Sequence, residues 1–112
     1  MLEGMIGIIS CELRRYQQAE YFFLRAMETM SPLGKSDFSY GILLKYYAEC
    51  LLTMNRYEES EVMLRESILI HRLNEIPVTH VTYQHLYDIS QRLKEEKGDQ
   101  KRQLMLDSGD MN

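Results

Sequence analysis

The chain repeats part of its own sequence at a fixed spacing. Residues 15–20, Arg-Tyr-Gln-Gln-Ala-Glu, align with residues 56–61, Arg-Tyr-Glu-Glu-Ser-Glu, 41 positions later. The same offset places Phe23 on Leu64, so a large apolar residue follows each copy at the same distance. An internal repeat of this length is typical of stacked supersecondary units, because one unit alone cannot bury all of its apolar surface. The sequence therefore predicts a stack of similar units.

Apolar residues inside each unit follow the period of an α-helix. Between residues 41 and 54 the apolar or small positions are Leu43, Leu44, Tyr47, Ala48, Leu51 and Met54. Steps of one and three residues place them on one face of a helix. Strand-like alternation is absent, and only two prolines interrupt the chain of 112 residues. The pattern predicts an all-α fold with five helices, at about residues 2–13, 16–30, 37–54, 57–72 and 78–96.

Local residues support these boundaries. Asn55 precedes the fourth helix, and Glu58 lies three positions after Asn55. This is the spacing of an N-cap residue and the acidic residue that pairs with it. Pro77 fits the first turn of the fifth helix, where a backbone N–H is not needed. Beyond that helix the sequence is rich in mixed charge and poor in apolar residues. We therefore expect a helical repeat domain over residues 1–96 and a polar tail, frayed or disordered, over residues 97–112.

Small and large residues follow one another in a set order along each unit. In the first unit the small Gly7 is followed by the aromatic Tyr16 at the turn, the small Ala19 and the large Phe23. This order resembles the tetratricopeptide repeat over roughly residues 1–95. The 41-residue spacing exceeds the 34 residues usual in that family and is similar to the longer repeats of the kinesin light chain group. The resemblance implies an α–α superhelix of about two and a half helix–turn–helix repeats.

The chain departs from the family pattern near its ends. Glu3 stands where the family prefers tryptophan or another large apolar residue, and the proline that usually ends a unit is shifted to Pro32. In the third unit only the first helix, from Tyr83, repeats the spacing of the second unit. The first and third units therefore look like end-pieces, or like the cut edges of a longer array.

The resemblance implies that the first helix of each unit lines a concave groove that holds a peptide or helix of another protein. The candidate groove residues are Ile42, Lys45, Tyr46, Glu49, Gln84, His85 and Asp88. The same register adds a wider set, which consists of Gly4, Met5, Ile8, Glu12, Leu52, Thr53, Val81 and Arg92. This mixture suits a segment with an apolar anchor and a few polar contacts. An alternative is that Ile42, Tyr46 and Leu52 only complete the stacking between units.

Composition bears on the partners and on the location of the chain. The net charge of −4 gives no basic field for nucleic acid. The apolar run at residues 5–9 is too short to cross a bilayer, and it lacks the basic lead-in of a secretory signal. Cys11 and Cys50 are expected to be buried thiols of a reducing compartment, and the alternative is a disulfide between them. The sequence therefore predicts a cytoplasmic protein that contacts neither nucleic acid nor membrane.

The residues that carry chemistry in enzymes and metal sites do not cluster along the sequence. His71, His80 and His85 lack the spacing of three or four residues that brings two ligands to one helix face. His71 is expected to interact with the dipole at the end of the fourth helix. No histidine lies close in sequence to either cysteine, and no glycine-rich phosphate loop occurs. We therefore expect no metal, no cofactor and no catalytic activity.

The sequence favours a non-enzymatic scaffold or adaptor that binds another protein or a peptide. One alternative is structural: the incomplete terminal repeats stack on a second copy, and the homo-oligomer acts as a spacer. Another alternative is a sensor or regulatory fragment of a longer chain, since some bacterial regulators use similar extended repeats.

Overall fold

Five α-helices make up the part of the chain that the computed structural model describes, residues 2–30 and 37–107. The helices are α1 (Leu2–Glu12), α2 (Tyr16–Met30), α3 (Phe38–Thr53), α4 (Tyr57–Leu73) and α5 (Val81–Asp107). No strand occurs in these two ranges, and the predicted all-α class is confirmed. None of the five helices is both long enough and apolar enough to cross a membrane.

The helices pack as two hairpins followed by a single helix. α1 packs on α2, and α3 packs on α4, each pair across a short loop that makes the neighbours antiparallel. α3 is the central element, because it contacts each of the other four helices. It is buried on several faces for that reason, whereas the outer helices bury one stripe. This arrangement of two and a half hairpins agrees with the fold that the repeat predicts.

The two hairpins bury equivalent residues. Ala19 and Phe23 of α2 are fully buried, and Ser60 and Leu64 occupy the same positions in α4 and are also buried. Gly7 of α1 lies against the Phe23 ring so closely that a methyl group there would lie 3.1 Å from Phe23 Cδ2. The small and the large residues of the repeat therefore meet across the hairpin, as the sequence order predicts.

A residue in the left-handed conformation ends α1, α3 and α4. These residues are Arg14, Asn55 and Glu75, with φ values of 62°, 62° and 55°. After each of them the next N–H turns back to a carbonyl five residues earlier; the N–H of Arg56, for example, donates to the carbonyl of Leu51 at 2.9 Å. This is the Schellman arrangement, which satisfies carbonyls at a helix end. Because Arg14 and Asn55 are 41 positions apart, the loop geometry repeats with the sequence.

The predicted N-cap at Asn55 is wrong. Asn55 closes α3, and the residue that caps α4 is Arg56, whose side chain makes no capping hydrogen bond. Asparagine favours both the N-cap and the left-handed position, so the residue type alone does not distinguish them. Arg56 instead pairs with Glu59 of α4 and with Glu20 of α2, and these ion pairs tie the loop to both hairpins.

The fifth helix begins later than the sequence predicts. Pro77 lies before α5, in a turn that the N–H of His80 closes by donating to the Pro77 carbonyl at 2.9 Å. The Nδ1 atom of His80 accepts a hydrogen bond from the N–H of Thr82 at 3.1 Å. The imidazole of His80 therefore satisfies one of the free N–H groups in the first turn of the helix. The prediction that Pro77 lies in this first turn is wrong.

The same helix continues past its predicted end. Residues 97–107 are helical where the sequence predicts a frayed tail, and residues 108–112 lie outside the described residues. Lys97 Nζ donates to Glu61 of α4 at 2.8 Å and to Glu58 at 3.3 Å. These ion pairs support α5 against α4 at the predicted end. Lysine, glutamine and arginine are strong helix formers and offset the cost of Gly98, about 1 kcal/mol.

Candidate functional site

A pocket of about 260 Å³ lies where the two hairpins and α5 meet. Six of the residues that line it belong to the predicted groove: Ile8, Glu12, Tyr46, Glu49, Thr53 and Arg92. The others are Cys11, Arg14, Tyr16, Phe23 and Cys50, and we call this site the central pocket. Sites for small molecules usually measure about 300–1,000 Å³, so this pocket suits one anchoring side chain better than a cofactor.

The walls of the central pocket combine apolar and charged groups. Ile8, Phe23 and Tyr46 supply apolar surface from α1, α2 and α3. Glu12 and Arg14 bring opposite charges at the end of α1, and Glu49 and Arg92 bring opposite charges from α3 and α5. The pocket therefore combines apolar surface with four charged groups, of which Glu49 and Arg92 form an ion pair, and no single sign of charge prevails in it.

Glu49 joins α3 to α5 at one side of the pocket. Its Oε2 atom lies 3.1 Å from Nε2 of His85 and 3.3 Å from Nη1 of Arg92. The ring of His85 also meets the ring of Tyr46 edge to face, with centroids 5.2 Å apart. About half of the Arg92 side chain stays exposed, so its ion pair contributes little to stability, whereas it fixes the guanidinium at the pocket. Tyr46, Glu49 and His85 are thus brought together as the predicted register requires.

Lys45 lies outside the central pocket, and only 5% of its surface is exposed. Its Nζ atom donates to Oγ1 of Thr82 on α5 at 3.1 Å and lies 5.0 Å from the centroid of the Tyr46 ring. Burial lowers the pKa of the Lys45 ammonium, and the charge of Glu49 opposes that change. The structure therefore makes Lys45 a bridge between α3 and α5 and not a groove contact.

The Lys45 amino group continues into a buried chain of hydrogen bonds. Thr82 Oγ1 lies 2.8 Å from Nε2 of His71, and Nδ1 of His71 lies 2.7 Å from the carbonyl of Ser67. A carbonyl only accepts and an ammonium only donates. Nδ1 of His71 therefore donates to the Ser67 carbonyl. Because burial lowers the pKa of His71, the ring is neutral at pH 7, and its Nε2 accepts from the Thr82 hydroxyl. His71 is fully buried and pins α4 to α5, which is a larger role than a contact with the helix dipole.

The buried His71 gives stability a dependence on pH. Burial lowers the pKa of His71 below its ordinary value of 6.5, and the charges of Lys45 and His80 act in the same direction. The unfolded state therefore binds more protons than the folded state between the lowered pKa and pH 6.5. We expect the contribution of His71 to the free energy of unfolding, measured by urea denaturation, to have its full value above pH 6.5 and to decrease as the pH falls below 6.5.

An NMR titration provides an independent measurement of the same group. The ring resonances of His71 should change with a midpoint below pH 6.5, and a midpoint above that value would contradict the burial argument. The lowered pKa values of the carboxyls of Glu59 and Glu61 cause a further loss of stability, but only at more acid pH, below their ordinary value of 4.5. The two effects therefore separate along the pH axis.

The remaining predicted site residues lie beside the pocket. Gln84 and Asp88 are exposed on α5, where the side-chain amide of Gln84 donates to Asp88 Oδ1 at 3.1 Å. Ile42 is half-buried on α3. None of these three side chains lines the central pocket. They flank it on the same two helices and provide matched control positions.

The two thiols of the pocket escape prediction from the sequence as a pair. Cys11 is half-buried and Cys50 is buried, and both line the central pocket, where Cys11 packs against the apolar cluster that contains Cys50. They are 39 positions apart and belong to no sequence motif. Only the repeat indicates that the two cysteines lie near each other, because the 41-residue offset aligns Cys11 with Leu52, two positions from Cys50. Stacked units bring equivalent positions side by side, and the two thiols are nearly equivalent.

No protein-family model, curated protein or solved structure matches this chain. Within residues 2–30 and 37–107, no group of three or more histidine, cysteine or acidic residues is arranged to hold a metal ion. The central pocket and the sequence repeat are the features of this chain that bear on its function.

Proposed function

We propose that this chain is a non-enzymatic interaction module of the tetratricopeptide type, which binds a peptide or helix of a partner protein in the cytoplasm. The observation that carries the proposal is that α1, α3 and α5, the first helices of the three units, all contribute side chains to one pocket. The repeat register predicts such a shared surface before any coordinates are considered. A pocket at that place is the position where a partner side chain would anchor.

The chemistry of the central pocket indicates what the partner segment offers. Ile8, Phe23 and Tyr46 favour an aliphatic or aromatic anchor of the size of one side chain. Arg92, at the side of the pocket, supplies a half-exposed guanidinium that can pair with a carboxylate or donate a hydrogen bond to a backbone carbonyl. A partner segment with one apolar residue and a nearby acidic group or free carbonyl matches both features.

Variants on the same two helices test this proposal. The Tyr46→Ala, Arg92→Ala double variant removes an apolar wall and the guanidinium of the pocket, and we expect it to weaken partner binding about ten-fold or more. The Gln84→Ala, Asp88→Ala double variant changes exposed residues beside the pocket and should bind like the parent. A pull-down from cell extract identifies the partner, and calorimetry with the purified partner segment then gives the affinities.

Circular dichroism and thermal melting must first show that both variants keep the fold of the parent. Equal binding by the pocket variant and the parent would remove the central pocket as the binding site. Loss of binding only in the Gln84→Ala, Asp88→Ala variant would place the binding site at the exposed side of α5 that carries these two residues. Either result would contradict the proposal.

One observation favours the structural alternative. α1 and Leu13, which follows it, expose a row of apolar side chains, Leu2, Met5, Ile9 and Leu13, each more than half exposed, and Met5 belongs to this row although the repeat register assigns it to the groove. Their steps of three and four residues place them on one helix face, where a second copy would find an apolar surface. Sedimentation equilibrium separates the two functions, because a spacer has a mass that rises with concentration, whereas a module that works alone keeps the mass of one chain.

A further inference from the structure

The floor of the central pocket carries two thiols from different helices. Cys11 belongs to α1 and Cys50 to α3, and these helices pack against each other. Both residues line the pocket, and Cys11 packs against the apolar cluster that contains Cys50. A disulfide between them requires a movement of the two helices that brings the sulfur atoms to about 2.05 Å.

The two thiols differ in a way that assigns them separate roles. The neighbouring Cys50 thiol lowers the pKa of Cys11, although burial and the charges of Glu49 and Glu12 act against this. The Cys11 thiol, together with burial, raises the pKa of Cys50. Cys11 is also the more accessible of the two, because it is half-buried at the pocket whereas only 1% of Cys50 is exposed. Cys11 is therefore the thiol that an oxidant in the pocket reaches first.

We propose that Cys11 and Cys50 form a reversible modification site, in which hydrogen peroxide converts the two thiols into an intramolecular disulfide. The Cys11 thiolate attacks one oxygen of the peroxide, the O–O bond breaks, and the products are the Cys11 sulfenic acid and hydroxide. The Cys50 sulfur then attacks the Cys11 sulfur and displaces the hydroxyl group, which leaves as water with the Cys50 proton. In sum, two thiols and one peroxide give one disulfide and two waters.

The disulfide has a consequence for the pocket, and this part of the inference rests on the proposed function. Ile8 lies one turn before Cys11 on α1, and Tyr46 lies one turn before Cys50 on α3. Because each pair shares one rigid helix, a movement of the cysteines also moves Ile8 and Tyr46, which form two walls of the pocket. Closing the bond draws α1 towards α3 and narrows the space between these walls. We expect the oxidised protein to bind its partner segment several-fold more weakly than the reduced protein, and a thiol reductant to restore the affinity.

Peptide mapping tests the chemical step without any knowledge of the partner. Trypsin cleaves after Arg14, Lys45 and Arg56, so Cys11 is released in residues 1–14 and Cys50 in residues 46–56. After treatment of the folded protein with peroxide, acid quenching and alkylation in denaturant, the two peptides should appear as one cross-linked species. Its mass should be two hydrogen atoms below the sum of the two peptides, and dithiothreitol should separate them.

Two serine variants distinguish the roles of the thiols. In Cys50→Ser the Cys11 sulfenic acid has no thiol to react with, so it should be captured by dimedone or proceed to sulfinic acid. In Cys11→Ser the buried Cys50 should remain a thiol at the same dose of peroxide. Each variant replaces one thiol of the same cysteine pair by a hydroxyl. The stability of one variant is therefore the control for a folding effect in the other.

Three outcomes would overturn the proposal. Both thiols survive in the parent at a dose that converts exposed methionines to sulfoxide; Cys11 becomes sulfinic acid while Cys50 stays reduced; or the cross-link joins two chains and doubles the mass on a non-reducing gel. If the disulfide forms and partner affinity stays the same, the modification site holds and only its effect on binding is removed. If the disulfide forms and the Tyr46→Ala, Arg92→Ala variant binds like the parent, the proposed function fails independently of the thiol chemistry.

Discussion

We expect the His71→Ala variant to lose about 3–5 kcal/mol of the free energy of unfolding. Domains of this size are commonly stable by about 5–15 kcal/mol, so the change should remove a large part of the total. The ring of His71 is fully buried and meets the rings of Phe38 and Tyr83 edge to face, with centroids 5.2 and 5.4 Å away. Alanine leaves a cavity where three elements of the fold come together.

The hydrogen-bond chain adds a second cost to that cavity. Without His71 the Thr82 hydroxyl loses the acceptor at 2.8 Å, and the Ser67 carbonyl loses the donor at 2.7 Å. The Thr82 hydroxyl is then a buried donor without its acceptor, which costs about 1–3 kcal/mol, whereas the Ser67 carbonyl keeps the helical N–H of residue 71 and loses only one of its two hydrogen bonds. Lys45 keeps only the hydroxyl of Thr82, whose orientation His71 no longer fixes. The loss of one ring therefore weakens the contacts of α4 with α5 and of α3 with α5 together.

His80→Ala is the matched control for this prediction. His80 is exposed, and its side chain accepts a hydrogen bond from the N–H of Thr82 at the start of α5. Its removal should cost about 1 kcal/mol, as for the loss of an N-cap side chain. Urea denaturation of the two variants at pH 7 gives both values. Equal losses would mean that the His71 network contributes no more than a helix cap.

The sequence predicted the helices and their pairing well because both follow from local periodicity. Steps of one and three residues select one helix face, and the 41-residue offset predicts that Phe23 and Leu64 occupy equivalent buried positions. The helix ends were predicted less well, since Asn55 suits two different positions at a helix boundary. α5 continues past the predicted end at residue 96, where Lys97 pairs with two partners on α4 that are 36 and 39 positions away in the sequence.

The central pocket was predictable in part for a geometric reason. With 3.6 residues per turn, Tyr46, Glu49 and Thr53 lie within an arc of about 60° on α3, and all three line the pocket. Lys45 lies about 100° from Tyr46, on the side where Thr82 of α5 covers it. Periodicity gives the direction of a side chain around its helix, but it does not show which neighbouring helix covers that direction.

The Gly41→Ala and Gly98→Ala variants should change stability in opposite directions, by a difference of about 3 kcal/mol between them. A methyl group at Gly41 would lie 2.8 Å from Cγ2 and 3.2 Å from Cβ of Ile70 on α4. At Gly98 the same methyl group meets no atom within 4 Å. Gly98→Ala should therefore stabilise α5 by up to about 1 kcal/mol through helix propensity alone.

Gly41→Ala gains the same propensity but overpacks the contact between α3 and α4, at a net cost of about 2 kcal/mol. The helices cannot separate to relieve the contact, because the Ser67 hydroxyl donates to the Gly41 carbonyl at 2.7 Å and the Ser60 hydroxyl donates to the Ala48 carbonyl at 2.7 Å. Thermal melting of the two variants and the parent measures both signs. A Gly41→Ala variant more stable than the parent would mean that these hydroxyl contacts do not hold the two helices at their close spacing. The hairpin would then fold equally well with α3 and α4 farther apart.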